Sequence, residues 1–398
     1  VITTLRIQNF KAFRDQTFEL APLTLLAGLN GSGKSSLLQA LLVLRQSYDQ
    51  RVLFPTAEGD PGPNGRIALN GGLVRIGRFQ DVLFEGADEQ RICISFVEST
   101  GVDYTCGFSA TESDARTAII DEMNYDPPRF VDFTLFHHGF RFLAAERIGP
   151  RTHYSIPDNE EGFVVSNRME SNTLSFHDDG VGVLGEWTPN YLARHGDSAS
   201  PNPGSRHPGA RSPELKHQVE AWMGEISTGI QIHCDRAESL DSVQMSYSFV
   251  SNRDTSPRYR PTNVGFGVSY TLPVVTVLLS AQPGDLLLLE SPEAHLHPRG
   301  QAKLGELLSR TAASGVQIIV ESHSDHVMNG IRVAAHRDIL RAEDARFLYF
   351  HRDVSDRSGE TKVESIQMDQ YGRIDKWPPG FFDELDQSLE TLLGPKGE

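Results

Sequence analysis

The stretch "GLNGSGKSS", Gly28 to Ser36, has the residue types and spacing that hold a nucleotide's phosphates. It fits G-x4-G-K-[ST] with Gly28, Gly33, Lys34 and Ser35 in register. Glycines let backbone N–H groups turn inward around phosphate oxygens, and a helix leaving the loop presents its positive end. In such a loop Lys34 reaches the β- and γ-phosphates and the Ser35 hydroxyl coordinates magnesium. Asn30, Gly31, Ser32 and Ser36 belong to the same cradle. The cofactors expected are ATP and Mg2+.

A phosphate loop also needs a partner acid on the metal side, delivered by the end of a neighbouring strand. "LLLLESPEAHLHP", Leu286 to Pro298, offers Glu290 at the end of a four-leucine run. Such a run reads as a strand of a parallel sheet buried on both faces. The next position, where many ATPases place a catalytic glutamate, is Ser291.

Elements able to position these groups lie on either side of them. From Ile2 to Leu26 apolar and polar residues alternate, which predicts short strands feeding the loop. Ser35 to Tyr48 carries leucines and a valine at helical spacing behind a hydroxyl residue, so a helix leaves the loop. Residues 51–130 mix β-like pieces ("RICISFVES", "VDYTCGFSA") with Gly, Pro and Asp, and predict a β-rich lobe. Arg194 to Pro213 is rich in Gly, Pro and Ser and reads as a mobile loop. Glu214–Ile226 follows as an amphipathic helix and "SVQMSYSFV" as a strand. After residue 284, "DLLLLE", "RGQAKLGELLSRTAA" and "VQIIVESH" alternate strand and helix, the pattern of a parallel sheet with crossover helices.

Composition narrows the function classes. The net charge is −16, from 53 acidic and 37 basic residues, which argues against a chain coated for non-specific nucleic-acid binding. Cys93, Cys106 and Cys234 are scattered without a CxxC pair, which excludes a zinc ribbon and suits a reducing compartment. No signal-like architecture opens the sequence, and the apolar-leaning run Val268–Ala281 is too short to span a bilayer and contains Pro273. The expectation is a soluble cytoplasmic protein with no membrane partner.

"ESPEAHLHP" resembles the "EEPEAHLHP"-type motif of ABC-class ATPases related to the SMC and overcoming-lysogenisation (OLD) families. "NFKAF" ahead of the phosphate loop looks like an SMC-type start, and "IIVESHSDHV" looks like the strand bearing the switch histidine, here His323. "NVGFGVSYTLPVV", Asn263 to Val275, sits where these proteins carry the signature helix. "AERIGPR" and the tail "WPPGFFDELDQSLETLL" resemble a subgroup of bacterial AAA/ABC-hybrid ATPases with a short C-terminal domain of unknown function. Members of that subgroup often sit in anti-phage or toxin-like operons.

The resemblance covers nearly the whole chain and implies an α/β fold, a P-loop ABC-type ATPase head with a mixed and parallel sheet. An N-terminal ATPase lobe would span 1–125, β-rich and carrying the phosphate loop. An inserted α+β middle region would span 126–260, a C-terminal ATPase lobe 261–350 and an extension 351–398. Heads of this kind dimerise head to tail around two ATP molecules. Residues 28–35 and Glu290 would then bind ATP in cis, while Asn263, Gly265, Gly267 and Ser269 would close the site in trans. "GRFQDVLFEG" occupies the place of the loop that senses magnesium and the attacking water, which makes Gln80 a candidate for both.

Ser291 stands where the family motif has a second acid. A serine hydroxyl positions water but is a poor base. Glu293 could swing in as base, His323 could carry more of the burden, or hydrolysis is slow and ATP serves as dimer glue. Phosphoryl transfer relies on positioning and charge neutralisation, so slow turnover with an ATP-gated output is the favoured reading. A transition-metal site built from His295, His297, His323 and His326 is disfavoured, because His295 and His297 fall on different sides of a helix or turn. Asp353 and Asp356 make a poor nuclease centre in a polar loop, so any cutting or toxic activity would belong to a partner protein. Arg141, Arg147 and Arg151 offer a nucleic-acid contact, outweighed by internal pairing with Glu146 and its neighbours. The rival functions are a DNA-repair or chromosome-maintenance ATPase acting on DNA directly and a transporter nucleotide-binding subunit. The second is weakened by the lack of an LSGGQ-like string.

Overall fold

The computed structural model describes residues 1–53, 65–110, 112, 115–124, 133–157, 180–251, 254–352 and 360–393. The chain opens with β1 (Ile2–Phe10), β2 (Phe13–Glu19), β3 (Leu23–Gly28) and α1 (Lys34–Asp49). Then come β4 (Arg66–Ala68), the short helix α2 (Phe79–Val82), β5 (Arg91–Glu98), β6 (Asp103–Ser109) and β7 (Thr117–Asn124). Without β3, these strands make a six-stranded antiparallel sheet in the order β2-β1-β5-β6-β7-β4. The β-rich N-terminal lobe is this sheet.

β8 (Phe140–Leu143), β9 (His153–Ser155), α3 (Thr188–His195), α4 (Leu215–Gly224), β10 (Ile230–Ala237) and β11 (Ser242–Phe249) follow. Here β10-β11-β9 form a small sheet of their own. The last third supplies α5 (Phe266–Ser280), β12 (Leu286–Glu290), α6 (Pro298–Ala313), β13 (Gln317–Glu321), α7 (Asp325–His336), β14 (Ala345–Arg352), β15 (Thr361–Ile366) and α8 (Glu384–Leu393). The central sheet runs β15-β14-β3-β13-β12-β8, parallel except for the β15 edge.

Two pairings cross the expected boundaries. β8 lies inside the stretch read as an insertion, yet it pairs with β12 and closes the central sheet. β14 and β15 straddle residue 351, so the C-terminal extension shares a hairpin with the ATPase lobe. The Gly/Pro/Ser-rich run 194–213, expected to be mobile, is bonded to its surroundings. The Trp222 indole N–H donates to the Ser205 carbonyl, and His207 N donates to Gln218 Oε1. Ser205 is buried.

The leucine run shows why the central sheet forms where it does. Successive side chains on a strand point to opposite faces. Leu286 and Leu288 join Ile319, Leu26 and Phe350 in the core shared with α1 and the antiparallel sheet. Leu287 and Leu289 join Ile318, Val320 and Leu25 in the core under α5, α6 and α7. All four leucines are buried, each contributing about 2 kcal/mol of transfer free energy. Among the described residues no helix is long and apolar enough to cross a membrane.

Candidate functional site

Parallel strands end in one plane, and β3, β13 and β12 lie side by side there. Glu290 pairs in register with Glu321, and Glu321 with Leu26, so the phosphate loop after β3 faces two strand-end acids. Crevices at the carboxyl ends of such strands are where open α/β sheets bind ligands. α1 begins at Lys34, directly after the loop.

Gly28 has φ +141, and a Cβ there would collide with the Phe350 carbonyl, so only glycine lets the loop leave β3 beside β14. Lys34 folds back over the loop, its Nζ donating to the carbonyls of Gly28 (2.8 Å) and Leu29 (2.9 Å). Burial pushes the Lys34 ammonium below its ordinary pKa, partly offset by the Glu321 carboxylate. Ser35 Oγ donates to Glu321 Oε2 at 2.8 Å. A cavity of about 330 Å³ opens here, walled by Asn30, Gly31, Gly33, Lys34, Ser35 and Ser36 together with Lys11, Ala12, Glu321 and Arg352. Ser32 is buried beneath the loop.

The acid turn after β12 is packed more tightly. Glu290 is half-buried, and its Oε2 accepts from Ala145 N at 3.1 Å. Burial raises its pKa, the Ala145 amide pulls it down, Glu321 raises it further and Arg147 lowers it. Ser291 adopts φ +43, and its N–H donates to the Glu321 carbonyl at 2.8 Å. Arg147 reaches beneath the turn, donating to the carbonyls of Glu290 (3.0 Å), Ser291 (2.6 Å) and Ala144 (3.2 Å). It is 3 % exposed and lies over the Tyr270 ring, so it holds the turn and cannot offer a nucleic-acid contact. Its partners are carbonyls rather than the Glu146 carboxylate expected. Arg141 donates to Ser280 Oγ, while Arg151 stays exposed.

The other candidates divide into those near the cavity and those engaged elsewhere. Glu293 is buried, and its Oε1 accepts from His323 N at 2.8 Å, bracing the acid turn against the switch-histidine segment. The His323 ring is exposed, with Nε2 3.9 Å from Glu321 Oε1. His295 packs edge-on against Phe266 and Tyr270, and His297 caps α6 through Nδ1. Gly267 sits against the acid motif, where a Cβ would stand 2.6 Å from the His295 carbonyl. Asn263 and Gly265 are exposed at the start of α5, whereas Ser269 is buried in the lobe. Gln80 is exposed on α2 and does not line the cavity. Asp353 and Asp356 lie outside the described residues.

Compared with models of protein families, residues 23–329 match the AAA-domain family described as a putative AbiEii toxin of a type IV toxin–antitoxin system. The chain belongs to this family. Residues 340–392 match a second family, a protein of unknown function (DUF3696). No curated protein matches significantly. Among solved structures, the Smc head bound to the C-winged helix domain of ScpA superposes with a TM-score of 0.52 at 14 % identity. That match covers 92 % of this chain and 98 % of the other. An Smc head with an extended coiled coil, derived from Pyrococcus furiosus, gives 0.49 at 13 % identity over 98 % and 99 %. The head domain from Thermotoga maritima gives 0.45 at 11 % over 92 % and 99 %. The first of these shows an SMC-head fold. Membership of the AAA-domain family makes the protein an ATPase.

Sequence reasoning missed four residues of this AAA-domain protein's cavity region. Glu321 ends "VQIIVE" as Glu290 ends "LLLLE", and that parallel between two strand ends was the available signal. Lys11 lines the cavity from the β1–β2 turn, its Nζ donating to Gln39 Oε1 at 2.6 Å. Arg352 lines it from the end of β14. Thr361, 2 % exposed at the start of β15, donates from Oγ1 to the Ser32 carbonyl at 2.9 Å. No sequence pattern marks the last two, because only strand order brings the C-terminal hairpin to the loop.

Proposed function

We propose that the chain binds Mg-ATP in the Gly28–Ser36 cradle and hydrolyses it slowly, so that ATP acts chiefly as a gate on assembly. One observation carries this reading. The phosphate loop opens on a cavity beside an acid turn whose second position is Ser291, tied by its amide to Glu321, a serine where the resembled motif has an acid. The hydroxyl and carboxylate oxygens of Ser35 and Glu290 are the ligand type magnesium takes. Of the catalytic candidates, His323 has the exposed ring, and Glu293 serves as a brace.

ATP-gated assembly would be a head-to-tail homodimer, or a higher homo-oligomer built from it. Asn263 and Gly265, exposed at the start of α5, would close the partner's site. The output would be control of a separate effector, a nuclease or toxin, in cytoplasmic bacterial anti-phage defence. The family's description as a putative toxin of a toxin–antitoxin system supports that setting. The test is ATP turnover by wild type, Lys34→Ala and Ser291→Glu, with solution mass measured with and without ATP. Slow wild-type turnover accelerated by Ser291→Glu, and a mass that doubles with ATP, are expected. Turnover unaffected by Ser291→Glu together with an unchanged mass would sink the proposal.

A further inference from the structure

The Glu321 carboxylate is 7 % exposed and faces the phosphate loop rather than the acid turn. Its Oε2 accepts from Ser35 Oγ at 2.8 Å, and its Oε1 stands 3.8 Å from Lys34 Nζ and 3.9 Å from His323 Nε2. Glu290 lies one strand farther from the loop, with Oε2 bound to the Ala145 amide. The acid nearest the loop's hydroxyl is therefore on β13, not β12.

We propose that Glu321 is a metal-side carboxylate of this site, paired with Ser35, so that β13, and not β12 alone, supplies acid on the metal side. The inference rests on reading the cavity as a Mg-ATP site. Magnesium demands near-octahedral oxygen coordination with bonds of about 2.1 Å, so adjacent ligand oxygens sit about 3.0 Å apart. The Ser35 and Glu321 oxygens already stand at nearly that separation. Strand pairing fixes the carboxylate's origin, since the Glu321 backbone is bonded between β3 and β12 and its carbonyl holds Ser291 N. The same carboxylate accepts from Ser35 and lies beside Lys34. Metal and phosphate would therefore replace existing contacts rather than build a site from nothing.

The experiment is equilibrium binding of a fluorescent ATP analogue to the full chain, titrated with Mg2+ and repeated in EDTA. Wild type, Lys34→Ala, Glu290→Gln and Glu321→Gln are compared, each checked for folding by thermal melt. Glu321→Gln keeps an acceptor for Ser35 but loses the charge. It should raise the Mg2+ concentration for half-maximal tightening about tenfold, while binding in EDTA is retained or tightened because a negative charge beside Lys34 has gone. A wild-type Mg2+ midpoint in Glu321→Gln, or equal weakening with and without Mg2+, overturns the metal-side role while leaving the nucleotide site standing. Wild-type binding that Lys34→Ala does not weaken overturns the site reading and this inference together.

Discussion

At the phosphate loop the charged side chains rest on partners that a ligand can displace, whereas at the acid turn they are bonded into the fold. Lys34 is parked on the carbonyls of its own loop, and Ser35 on a carboxylate. A phosphate or cation can replace each of these contacts without moving a strand. Across the crevice, Arg147 satisfies three carbonyls, and Glu293 holds the amide of His323. Removing those leaves buried acceptors or donors unpaired, so they are scaffold. One half of the site is thus set for exchange and the other for position.

The largest effect expected from this contrast is at Arg147. Arg147→Ala should cost about 3 kcal/mol or more of unfolding free energy, since it strands buried carbonyl oxygens under the turn. A urea titration giving less than about 1 kcal/mol would break the contrast from the scaffold side. Lys34→Ala should leave stability nearly unchanged yet weaken ATP binding about 100-fold, close to 2.7 kcal/mol. A large loss of stability there would make Lys34 scaffold too.

Glu293 separates base from brace. Glu293→Gln keeps an acceptor for His323 N, so turnover should stay within about threefold, whereas loss of a true general base costs roughly 100-fold or more. Thr361→Val removes the bond from β15 to the loop carbonyl of Ser32. A loss of about 1 kcal/mol in nucleotide binding energy, a few-fold in affinity, is expected by equilibrium titration. No change would mean that the C-terminal hairpin only neighbours the site.

The smallest effect concerns pH. Burial, reinforced by Glu321, raises the Glu290 pKa above its ordinary 4.5, so the folded chain holds a proton that the unfolded chain has released. Stability from this group is present below pH 4.5 and falls as pH rises through the raised native value. Glu290→Gln should flatten that slope in urea titrations on either side of the window. A Glu290→Gln profile parallel to wild type would count against Glu290 as its source.

Much of this was legible because the signals are local. The Gly28–Ser36 loop, α1 and the buried character of "LLLL" follow from neighbouring residues and the periodicities of helix and strand. The lobe boundaries were less legible. β8 is a short run without a flanking motif, and its place at the edge of the central sheet depends on which strand it meets. Gln80 was named by resemblance alone and lies exposed on α2, outside the residues that line the cavity, while Ser269, named for closing a partner's site, is buried.

The sequence by itself determined that a phosphate cradle exists, that an acid ends the leucine strand and that serine follows it. Those are properties of contiguous residues, settled by backbone sterics and side-chain chemistry. Only the tertiary structure decided which carboxylate meets Ser35 and what braces the loop. Glu321 reaches Ser35 across 286 positions, and Thr361 reaches Ser32 across 329. Such contacts are created by strand order, and no local pattern encodes strand order.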